Sequence, residues 1–319
     1  MDGTLAVPAA RLDPRKFQDP FVTAQGERRA QVALRSLDTL WFNTGTLCNL
    51  TCHHCYIESS PKNDRLAYLS ATEVAEYLDE ITTLRLGTGL IGFTGGEPFM
   101  NPQLPDMLEL TLTRGFRALV LTNAMKPMDK MKPALLALHR RFGERLQIRV
   151  SIDHYDRAVH EAERGRRSWQ PTIDGFRWLA ANGFSLSVAS RRLSGESEGE
   201  IRQGFAALFA ELGIAIAADD PVGLTVFPEM DEAADVPEIT EACWGILGKS
   251  PEEVMCASSR MVVKFNGAAR PTVIACTLLP YDARFDLGPT LAGALGRVSL
   301  NHPHCAKFCV LGGGACSRS

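Results

Sequence analysis

Hydrophobic and polar positions along the chain follow two alternating periods from about residue 38 to residue 217. Six short runs are apolar at nearly every position, which is typical of strands buried in a parallel sheet; they lie at residues 39–43, 90–93, 118–122, 147–152, 184–189 and 214–217. Five longer stretches carry apolar residues at helical spacing; they lie at residues 70–84, 104–114, 132–142, 172–182 and 199–212.

Local signals mark the ends of several of these helices. Ser70 followed by Glu73 forms a capping-box sequence, and Gly183 and Gly213 are helix stops that lead into strands. The alternation predicts six β–α units, which are too few for a closed eight-fold barrel. We therefore expect an α/β fold, a partial (β/α)6 TIM-like barrel, with ligands at the carboxyl ends of its strands.

The pattern divides the chain into three parts. Residues 1–36 are polar and rich in Pro and Arg, and we expect an irregular lead-in there. Residues 37–230 form the barrel. After about residue 230 short strands, turns and cysteines replace the helical pattern, which predicts a small C-terminal cysteine-rich module at 231–319. Within it, two apolar runs at 261–265 and 272–275 flank an Asn-Gly turn and predict a β-hairpin.

Composition narrows the class of protein. The chain has 319 residues, of which 45% are hydrophobic and 22% charged, as in ordinary globular proteins. Its net charge of −3 gives no reason to expect nucleic acid as a partner. It contains neither an apolar run long enough to span a membrane nor a secretory signal core, so we expect a cytoplasmic protein. In that compartment nine cysteines point to metal ligands or reactive thiols.

Three of these cysteines follow the first predicted strand with the spacing C-x3-C-x2-C, at Cys48, Cys52 and Cys55. A zinc site would need a fourth ligand, which His53 or His54 could supply. A redox pair would need only the last two cysteines. Three thiolates on one loop also suit a [4Fe–4S] cluster with one iron left open, since such clusters are held by cysteine thiolates. Spacing alone favours the cluster and leaves the alternatives open.

A second motif, Thr-Gly-Gly-Glu-Pro at 94–98, ends the second predicted strand. Gly95 and Gly96 have no Cβ and let backbone approach a ligand closely, and Glu97 adds a carboxylate that can accept hydrogen bonds from an amino group. The alternative is a plain tight turn before a helix capped by Asn101 with Pro102 at its first position.

Together the two motifs resemble those of the radical S-adenosylmethionine (SAM) superfamily. Four further segments are similar to later parts of that family's barrel, over roughly residues 38–230: LVLTNAM at 119–125, VSIDH at 150–154, HEAERG at 160–165 and ADDPVG at 218–223, the last resembling the turn after the sixth strand. Ala124 stands where the family commonly has Gly. His54 stands where an aromatic residue is usual before the third cysteine.

The resemblance implies a role for each matching residue. Cys48, Cys52 and Cys55 would bind three irons, and SAM would chelate the fourth. The remaining residues would hold SAM. Gly95, Gly96 and Glu97 would bind its amino group. Ser151 and Asp153 would bind its carboxylate and ribose, with Asn123 nearby, and His54 would contact its adenine. Arg164 would pair with the SAM carboxylate, or it is a solvated charge in an Arg-rich run. Arg191 and Arg192 could likewise face an anionic substrate or lie on the solvated surface.

The later cysteines resemble the auxiliary-cluster modules called twitch and SPASM. The resemblance implies one auxiliary [4Fe–4S] cluster with the ligands Cys256, Cys276, Cys305 and Cys309, for which Cys316 could substitute. The alternative is a zinc-stabilised tail that uses His302 and His304. Cys243 lies outside this pattern and is expected to be a buried thiol.

The implied activity is reductive cleavage of SAM to a 5′-deoxyadenosyl radical that abstracts hydrogen from an unreactive carbon. The partners would be SAM, a one-electron donor such as flavodoxin or ferredoxin, and a small molecule or peptide. A lead-in of about 36 residues is too short for a leader-binding domain, which favours a small molecule or a peptide delivered by a separate protein. Asp219, Asp220, Glu229 and Cys316 are candidates for a catalytic group. The alternatives are a peptide maturase, a methyl or sulfur transferase, and a non-catalytic zinc or iron–sulfur protein.

Overall fold

The computed structural model describes residues 11–193, 195–228 and 233–314. Eight strands of the described residues form one sheet; in chain order they are β1 Thr39–Asn43, β2 Leu90–Thr94, β3 Arg117–Thr122, β4 Leu146–Ser151, β5 Ser185–Arg191, β6 Leu224–Phe227, β7 Ser259–Val263 and β8 Thr272–Ile274. Their spatial order is β6-β5-β4-β3-β2-β1-β7-β8. All neighbours are parallel except β7 and β8, which form an antiparallel hairpin.

Helices follow the strands and pack on one face of the sheet, except for the short eighth helix, which packs with the core on the opposite face. In chain order they are α1 Ala71–Leu84, α2 Leu104–Thr113, α3 Lys126–Asp129, α4 Lys132–Phe142, α5 Arg157–Arg164, α6 Trp169–Ala181, α7 Glu198–Leu212 and the short α8 Cys243–Leu247. The partial-barrel prediction is confirmed. Ser70 caps α1 through a capping box with Glu73, and Gly213 ends α7 in the left-handed conformation, as the sequence predicts.

Two hydrophobic cores lie on the two faces of the sheet. Alternate residues such as Phe42 and Phe93 pack against the outer helices. The opposite face contributes Trp41 and Met261 to a second core, which contains the lead-in and the C-terminal segments. Gly92 makes this inner packing possible, because a Cβ there would lie 2.2 Å from the Trp41 ring. The inner core thus joins the cysteine-rich C-terminal part to the barrel.

The prediction of the sixth strand is wrong. Residues 214–217 lie in a loop that leaves α7, and the sixth strand is β6, where Leu224 pairs with Val188 of β5. Ile214 helps to end α7, because its backbone N–H donates a hydrogen bond to Phe209 O in the last turn of the helix at 2.9 Å. The apolar run at 214–217 is too short for periodicity to decide whether it is strand or loop. The Asp-Asp-Pro segment therefore precedes the sixth strand instead of following it.

This correction moves two candidate catalytic residues. Asp219 and Asp220 lie at the amino-terminal end of β6, opposite the end at which parallel-barrel sites form. Asp220 caps the local turn by accepting a hydrogen bond from Val222 N at 2.9 Å. Glu229 and Cys316 lie outside the described residues.

The lead-in packs against the C-terminal part, and its later residues are not irregular. Gln31 and Val32 pair antiparallel with Ser299 and Val298. The predicted hairpin is confirmed as β7 and β8, with Gly267 at φ +79° in its turn. Among the described residues no helix is long and apolar enough to cross a membrane.

Candidate active site

The three cysteines of the first motif lie on the long loop between β1 and α1, at the carboxyl end of the sheet. All three line one cavity, together with residues that end five successive strands: Thr94, Thr122, Ser151, Arg191 and Phe227. Cys48 is buried, whereas Cys52 and Cys55 are half-buried. The fold therefore brings the thiols to the place where sites form in parallel barrels.

Burial raises the pKa of two of these thiols, and backbone N–H groups donate to two of the sulfurs. Burial raises the pKa of Cys48 to about 12, and it also raises the pKa of Cys52. The Cys48 sulfur accepts from Leu50 N at 3.4 Å, and the Cys55 sulfur accepts from Ser59 N at 3.3 Å. A metal ion deprotonates a coordinating thiol, and N–H donors to sulfur favour the anionic form. The thiols are thus arranged for metal binding more than for free thiolate chemistry.

Gly95 and Gly96 allow the cysteine loop to lie directly on the end of β2. The Gly96 and Glu97 N–H groups donate to Gly45 O at 2.9 Å and Leu47 O at 3.1 Å. A Cβ on Gly96 would lie 2.3 Å from Leu47 O, and Gly95 has φ +137°. Both glycines also line the cavity. The two glycines were expected to let backbone approach a ligand closely. In the structure they let the backbone of the cysteine loop approach the end of β2.

Glu97 lies beneath the cavity, 2% exposed, and connects the ends of β2 and β3. One carboxylate oxygen accepts from Thr122 Oγ1 at 2.8 Å and from Phe99 N at 3.1 Å, and the other accepts from Asn123 N at 2.9 Å. Burial outweighs these hydrogen bonds and raises the pKa of Glu97 to about 7. Direct contact of Glu97 with the SAM amino group remains a prediction, since its oxygens already hold the strand ends.

A buried ion pair forms one wall of the cavity. Arg164 donates to Asp153 through Nε at 2.7 Å and Nη2 at 3.0 Å, and Arg191 Nε lies 3.6 Å from the same carboxylate. Burial raises the pKa of Asp153, but the two guanidinium charges outweigh it and keep that pKa below its usual value. Arg164 is 8% exposed, so its alternative interpretation as a solvated charge is wrong.

The tip of the cysteine loop is fastened to α5 by Glu163. Its carboxylate accepts from His54 N at 2.7 Å and contacts His54 Nδ1 at 2.7 Å, while its backbone oxygen accepts from His53 N at 2.8 Å. Arg191 donates to the His54 backbone oxygen and so joins the same network. His54 lines the cavity with a half-exposed ring that lies edge-to-face with the ring of His53.

Asn123 and Ser151 also line the cavity, as expected. Asn123 Nδ2 donates to Asn49 Oδ1 at 3.0 Å, which ties the end of β3 to the cysteine loop. Ala124, at the position where Gly is common, has φ +57° and so adopts the conformation that Gly favours. The structure therefore brings together every residue that the resemblance assigns to SAM, with Glu97 behind the cavity surface.

The donor set fits a thiolate-held iron–sulfur cluster with SAM. Three thiols without a carboxylate ligand are the soft donors such clusters use, and the adjacent backbone groups and Arg164 suit the amino and carboxylate groups of an amino acid. Zinc binding by the histidines is less well supported, because the ring of His54 contacts Glu163. Among the described residues no three His, Cys, Asp or Glu side chains are arranged to hold a single metal ion.

The C-terminal cysteines form a second group, in which Cys256 and Cys305 are buried and Cys276 is half-buried. Cys256 precedes β7, Cys276 follows β8, and Cys305 begins a π-helix at Cys305–Leu311. Burial raises the pKa of Cys305 well above its usual value, and the thiols of Cys256 and Cys276 add to this. Cys309 is half-buried and follows in the same π-helix. The hairpin therefore brings its flanking cysteines close to a third.

Several residues that shape the cavity are not predicted from the sequence. No motif marks Glu163 for a role of its own, and the sequence leaves Arg191 equally consistent with solvated surface. The apolar outer wall, which includes Leu278 and Phe308 from the C-terminal part, was also missed. The Arg-rich run at 164–167 is a signal for Arg164, and the pair at 191–192 is a signal for Arg191, but nothing local distinguishes a buried arginine from a solvated one. Cys243 is half-buried rather than buried, and its sulfur accepts from Thr240 N at 3.3 Å.

The chain is similar in sequence to parts of several known proteins, among them a GTP 3′,8-cyclase of Mycobacterium tuberculosis and the two described next. The subtilosin biosynthesis protein AlbA of Bacillus subtilis (strain 168) is 29% identical over 44% of this chain and 30% of its own length. Mycofactocin maturase MftC of Mycobacterium ulcerans (strain Agy99) is 26% identical over 53% of this chain and 43% of its own length. The matched regions are thus less than half of each relative.

Solved structures share the fold. Streptococcus suis SuiB, bound to S-adenosylmethionine or to its precursor peptide SuiA, has a TM-score of 0.58 and 12% identity over 80% of this chain and 63% of SuiB. A model of the radical SAM superfamily matches residues 42–203, from β1 into α7, and so contains the three cysteines and the Gly-Gly-Glu turn. Because that match covers half of the chain, the protein belongs to the radical SAM superfamily.

Proposed function

We propose that this protein is a radical SAM enzyme that acts on a peptide and carries one auxiliary [4Fe–4S] cluster. The observation that carries the proposal is the shared cavity. Three thiols, a glycine-lined backbone turn and a buried arginine line one side of it, and apolar side chains of the C-terminal part line the other. A cofactor bound at the thiols would therefore face a space closed by a second module.

Residues of the barrel would hold the cofactor. Cys48, Cys52 and Cys55 would ligate the cluster, and Gly95 and Gly96 would offer backbone groups to the amino group of SAM. When bound and reduced by an external donor such as flavodoxin or ferredoxin, this cofactor supplies a 5′-deoxyadenosyl radical able to abstract hydrogen from an unreactive carbon.

The polar part of the cavity orients the amino-acid end of SAM. Arg164 offers a charged, buried donor to a carboxylate, and Ser151 offers a hydroxyl. Asp153 fixes the guanidinium of Arg164 in place through its two hydrogen bonds, so the arginine is organised before a ligand arrives. His54, held by Glu163, is the residue we propose for adenine.

The C-terminal part, residues 231–319, would hold the auxiliary cluster. Cys256, Cys276 and Cys305 are the proposed ligands, and Cys309 or Cys316 would be the fourth. Such a cluster can accept an electron from a substrate radical, which makes the net reaction an oxidation or a bond formation. The buried positions of Cys256 and Cys305 support a cluster shielded from solvent.

A peptide is the substrate class that we favour. The outer wall of the cavity is apolar, with Leu193, Phe227, Leu278 and Phe308, and suits an aliphatic or aromatic side chain. The relatives named as a bacteriocin biosynthesis protein and a maturase, and SuiB with its precursor peptide, add weight to this choice. A small molecule with an apolar part is the alternative outcome of the test.

The decisive experiment begins with anaerobic reconstitution. Two [4Fe–4S] clusters predict about eight irons per chain in the wild-type protein and about four in Cys52→Ala. With SAM and dithionite the wild-type protein should release 5′-deoxyadenosine and the variant should not. Cys243→Ala removes a cysteine outside both groups and is the matched control. A protein that binds one zinc per chain and leaves SAM intact would disprove the proposal.

The substrate class is tested by isotope transfer. Coexpressed candidate precursor peptides with deuterated side chains should change mass and pass deuterium to 5′-deoxyadenosine. Methyl or sulfur transfer would instead add mass to the peptide, or would consume the auxiliary cluster. Deuterium transfer from small molecules but never from peptides would reject the peptide while leaving radical SAM chemistry intact.

A further inference from the structure

A buried arginine on β7 lies beside the C-terminal cysteines. Arg260 is 1% exposed, and its guanidinium donates to four backbone carbonyl oxygens: Cys256 at 2.6 Å, Ser259 at 2.8 Å, Ala294 at 2.9 Å and Gly296 at 3.1 Å. Its electrostatic neighbours are the thiols of Cys256 and Cys276. The hydrogen-bonding capacity of the guanidinium is thus largely used, but carbonyl oxygens carry no net charge.

Arg260 differs in this respect from two other buried arginines. Arg29 pairs with Glu238, and Arg164 pairs with Asp153. Within the described ranges, no carboxylate lies in ion-pair distance of Arg260. Moving a guanidinium out of water costs several kcal/mol unless an opposite charge compensates it. Neutral thiols at Cys256, Cys276 and Cys305 would leave the charge of Arg260 without a counter-charge.

We infer that Arg260 is the fixed counter-charge of an anionic metal–thiolate centre at the C-terminal cysteines. The inference rests on the auxiliary cluster proposed above and gives it an electrostatic partner in the chain. A cluster held by several thiolates carries net negative charge, and a cation buried beside it stabilises that charge strongly, because little water screens the interaction. Arg260 is a positioning residue in this sense, since its guanidinium contacts carbonyl oxygens and not substrate.

The charge has a direct effect on the reduction potential. Reduction adds one negative charge to the cluster, and a neighbouring cation stabilises the reduced form more than the oxidised form. Removal of the cation should therefore shift the potential of the auxiliary cluster to a more negative value. The cluster at Cys48, Cys52 and Cys55 should be unaffected, because the side-chain hydrogen bonds of Arg260 among the described residues all go to Cys256, Ser259, Ala294 and Gly296.

The test uses the full-length chain with all three of Cys48, Cys52 and Cys55 changed to Ala, so that the only expected iron is at the C-terminal site. In this background Arg260→Gln keeps hydrogen-bond donors and removes the charge, and Arg260→Lys keeps the charge. At one fixed solution potential, Arg260→Gln should lower the ratio of reduced to oxidised cluster at least tenfold, which equals about 59 mV for one electron. Arg260→Lys should stay within about threefold of the parent.

A surface charge provides the matched control. Arg35→Gln removes an exposed arginine whose only close acidic partner among the described residues is the exposed Glu252, and it should leave the ratio unchanged because solvent screens that charge. Iron content and unfolding by urea are measured for every variant. If Arg260→Gln retains no iron, iron retention decides the question, and Arg260→Lys must then retain it.

Three outcomes would overturn the inference. These are an unchanged ratio in Arg260→Gln, an equal shift in the Lys and Gln variants, and one zinc in place of iron in the triple-cysteine background. The equal shift would mean that the carbonyl contacts matter and the charge does not. Failure of the proposed function is distinguishable, because it appears in the wild-type protein as absence of 5′-deoxyadenosine whatever happens at Arg260.

Discussion

Replacing Gly96 by Ala adds one methyl group where the cysteine loop crosses the end of β2. The new Cβ would lie 2.3 Å from Leu47 O and 2.6 Å from Thr46 O. Ordinary contacts are about 3.5 Å, so one of the two backbone segments must move by roughly 1 Å. The segment carrying Thr46 and Leu47 leads directly into Cys48, and this first cysteine would move with it.

The cost can be worked from these contacts. Overpacking of this kind costs about 1–3 kcal/mol. The displacement also weakens the hydrogen bond from Glu97 N to Leu47 O, which is worth about 1 kcal/mol. We therefore expect Gly96→Ala to lower the free energy of unfolding of the metal-free protein by about 2–4 kcal/mol, a combination of these two contributions.

The assay is urea unfolding of the metal-free protein together with iron content after anaerobic reconstitution. Gly89→Ala is the matched control, because a Cβ at Gly89 meets nothing within 4 Å and its backbone is not in the left-handed region. The control should change the free energy of unfolding by less than about 1 kcal/mol, through the entropy of the unfolded chain. It should retain both clusters, whereas Gly96→Ala should lose most of the iron that depends on Cys48.

The reasoning would be refuted if Gly96→Ala and Gly89→Ala unfolded at the same urea concentration with equal iron content. That result would mean that the cysteine loop can move away from β2 without loss. A loss of iron without a loss of stability would also contradict the calculation, because both effects are attributed to the same displacement.

Three further predictions concern stability, each measured by urea unfolding of the metal-free protein. Arg85→Gly should stabilise it by about 0.5–1 kcal/mol, because Arg85 ends α1 with φ +53° on the exposed surface and Gly adopts that conformation without a Cβ clash; a destabilised variant would contradict this. Burial lowers the pKa of His160 to about 4, so a proton binds the unfolded chain below pH 6.5 but the folded protein only near pH 4. As the pH falls between these values, the free energy of unfolding of the wild-type protein should decrease by about 1.4 kcal/mol per pH unit relative to His160→Leu. Parallel pH profiles would show that the imidazole is not buried as a neutral group. Arg29→Met should cost about 3–5 kcal/mol because the buried carboxylate of Glu238 loses its counter-charge. Arg28→Met on the exposed surface should cost under about 0.5 kcal/mol, and equal losses would refute the role of burial.

Sequence periodicity predicted most of the barrel because buried parallel strands and amphipathic helices each have a local pattern. The strand at Thr39–Asn43 was placed without error, and four more were placed within two residues. It failed for β6 because two short apolar runs lie close together, and only pairing with β5 distinguishes the strand from the loop. The long-range pairing of Val188 with Leu224 supplies what the local sequence lacks.

Some residues of the candidate site are likewise predicted from the sequence, and others are recognised only in the tertiary structure. The three cysteines and the Gly-Gly-Glu turn are compact motifs, so their chemistry follows from residue type and spacing. Glu163 lies 109 residues after His54 in sequence, and its two contacts with that residue exist only because α5 packs against the cysteine loop. A solvated and a buried arginine can have the same neighbouring residues in the sequence. Arg164 is distinguished only in the folded protein, where it is buried and forms an ion pair with Asp153.

The sequence by itself determined the fold class, the first set of thiols and the family of chemistry, because each depends on residues close together along the chain. Only the tertiary structure decided which charges are buried and what compensates them. Arg260 is one polar residue in an apolar run when the sequence is read alone. Folding places it out of water beside Cys256 and Cys276, and there the cost of an isolated charge makes it informative about what those cysteines bind.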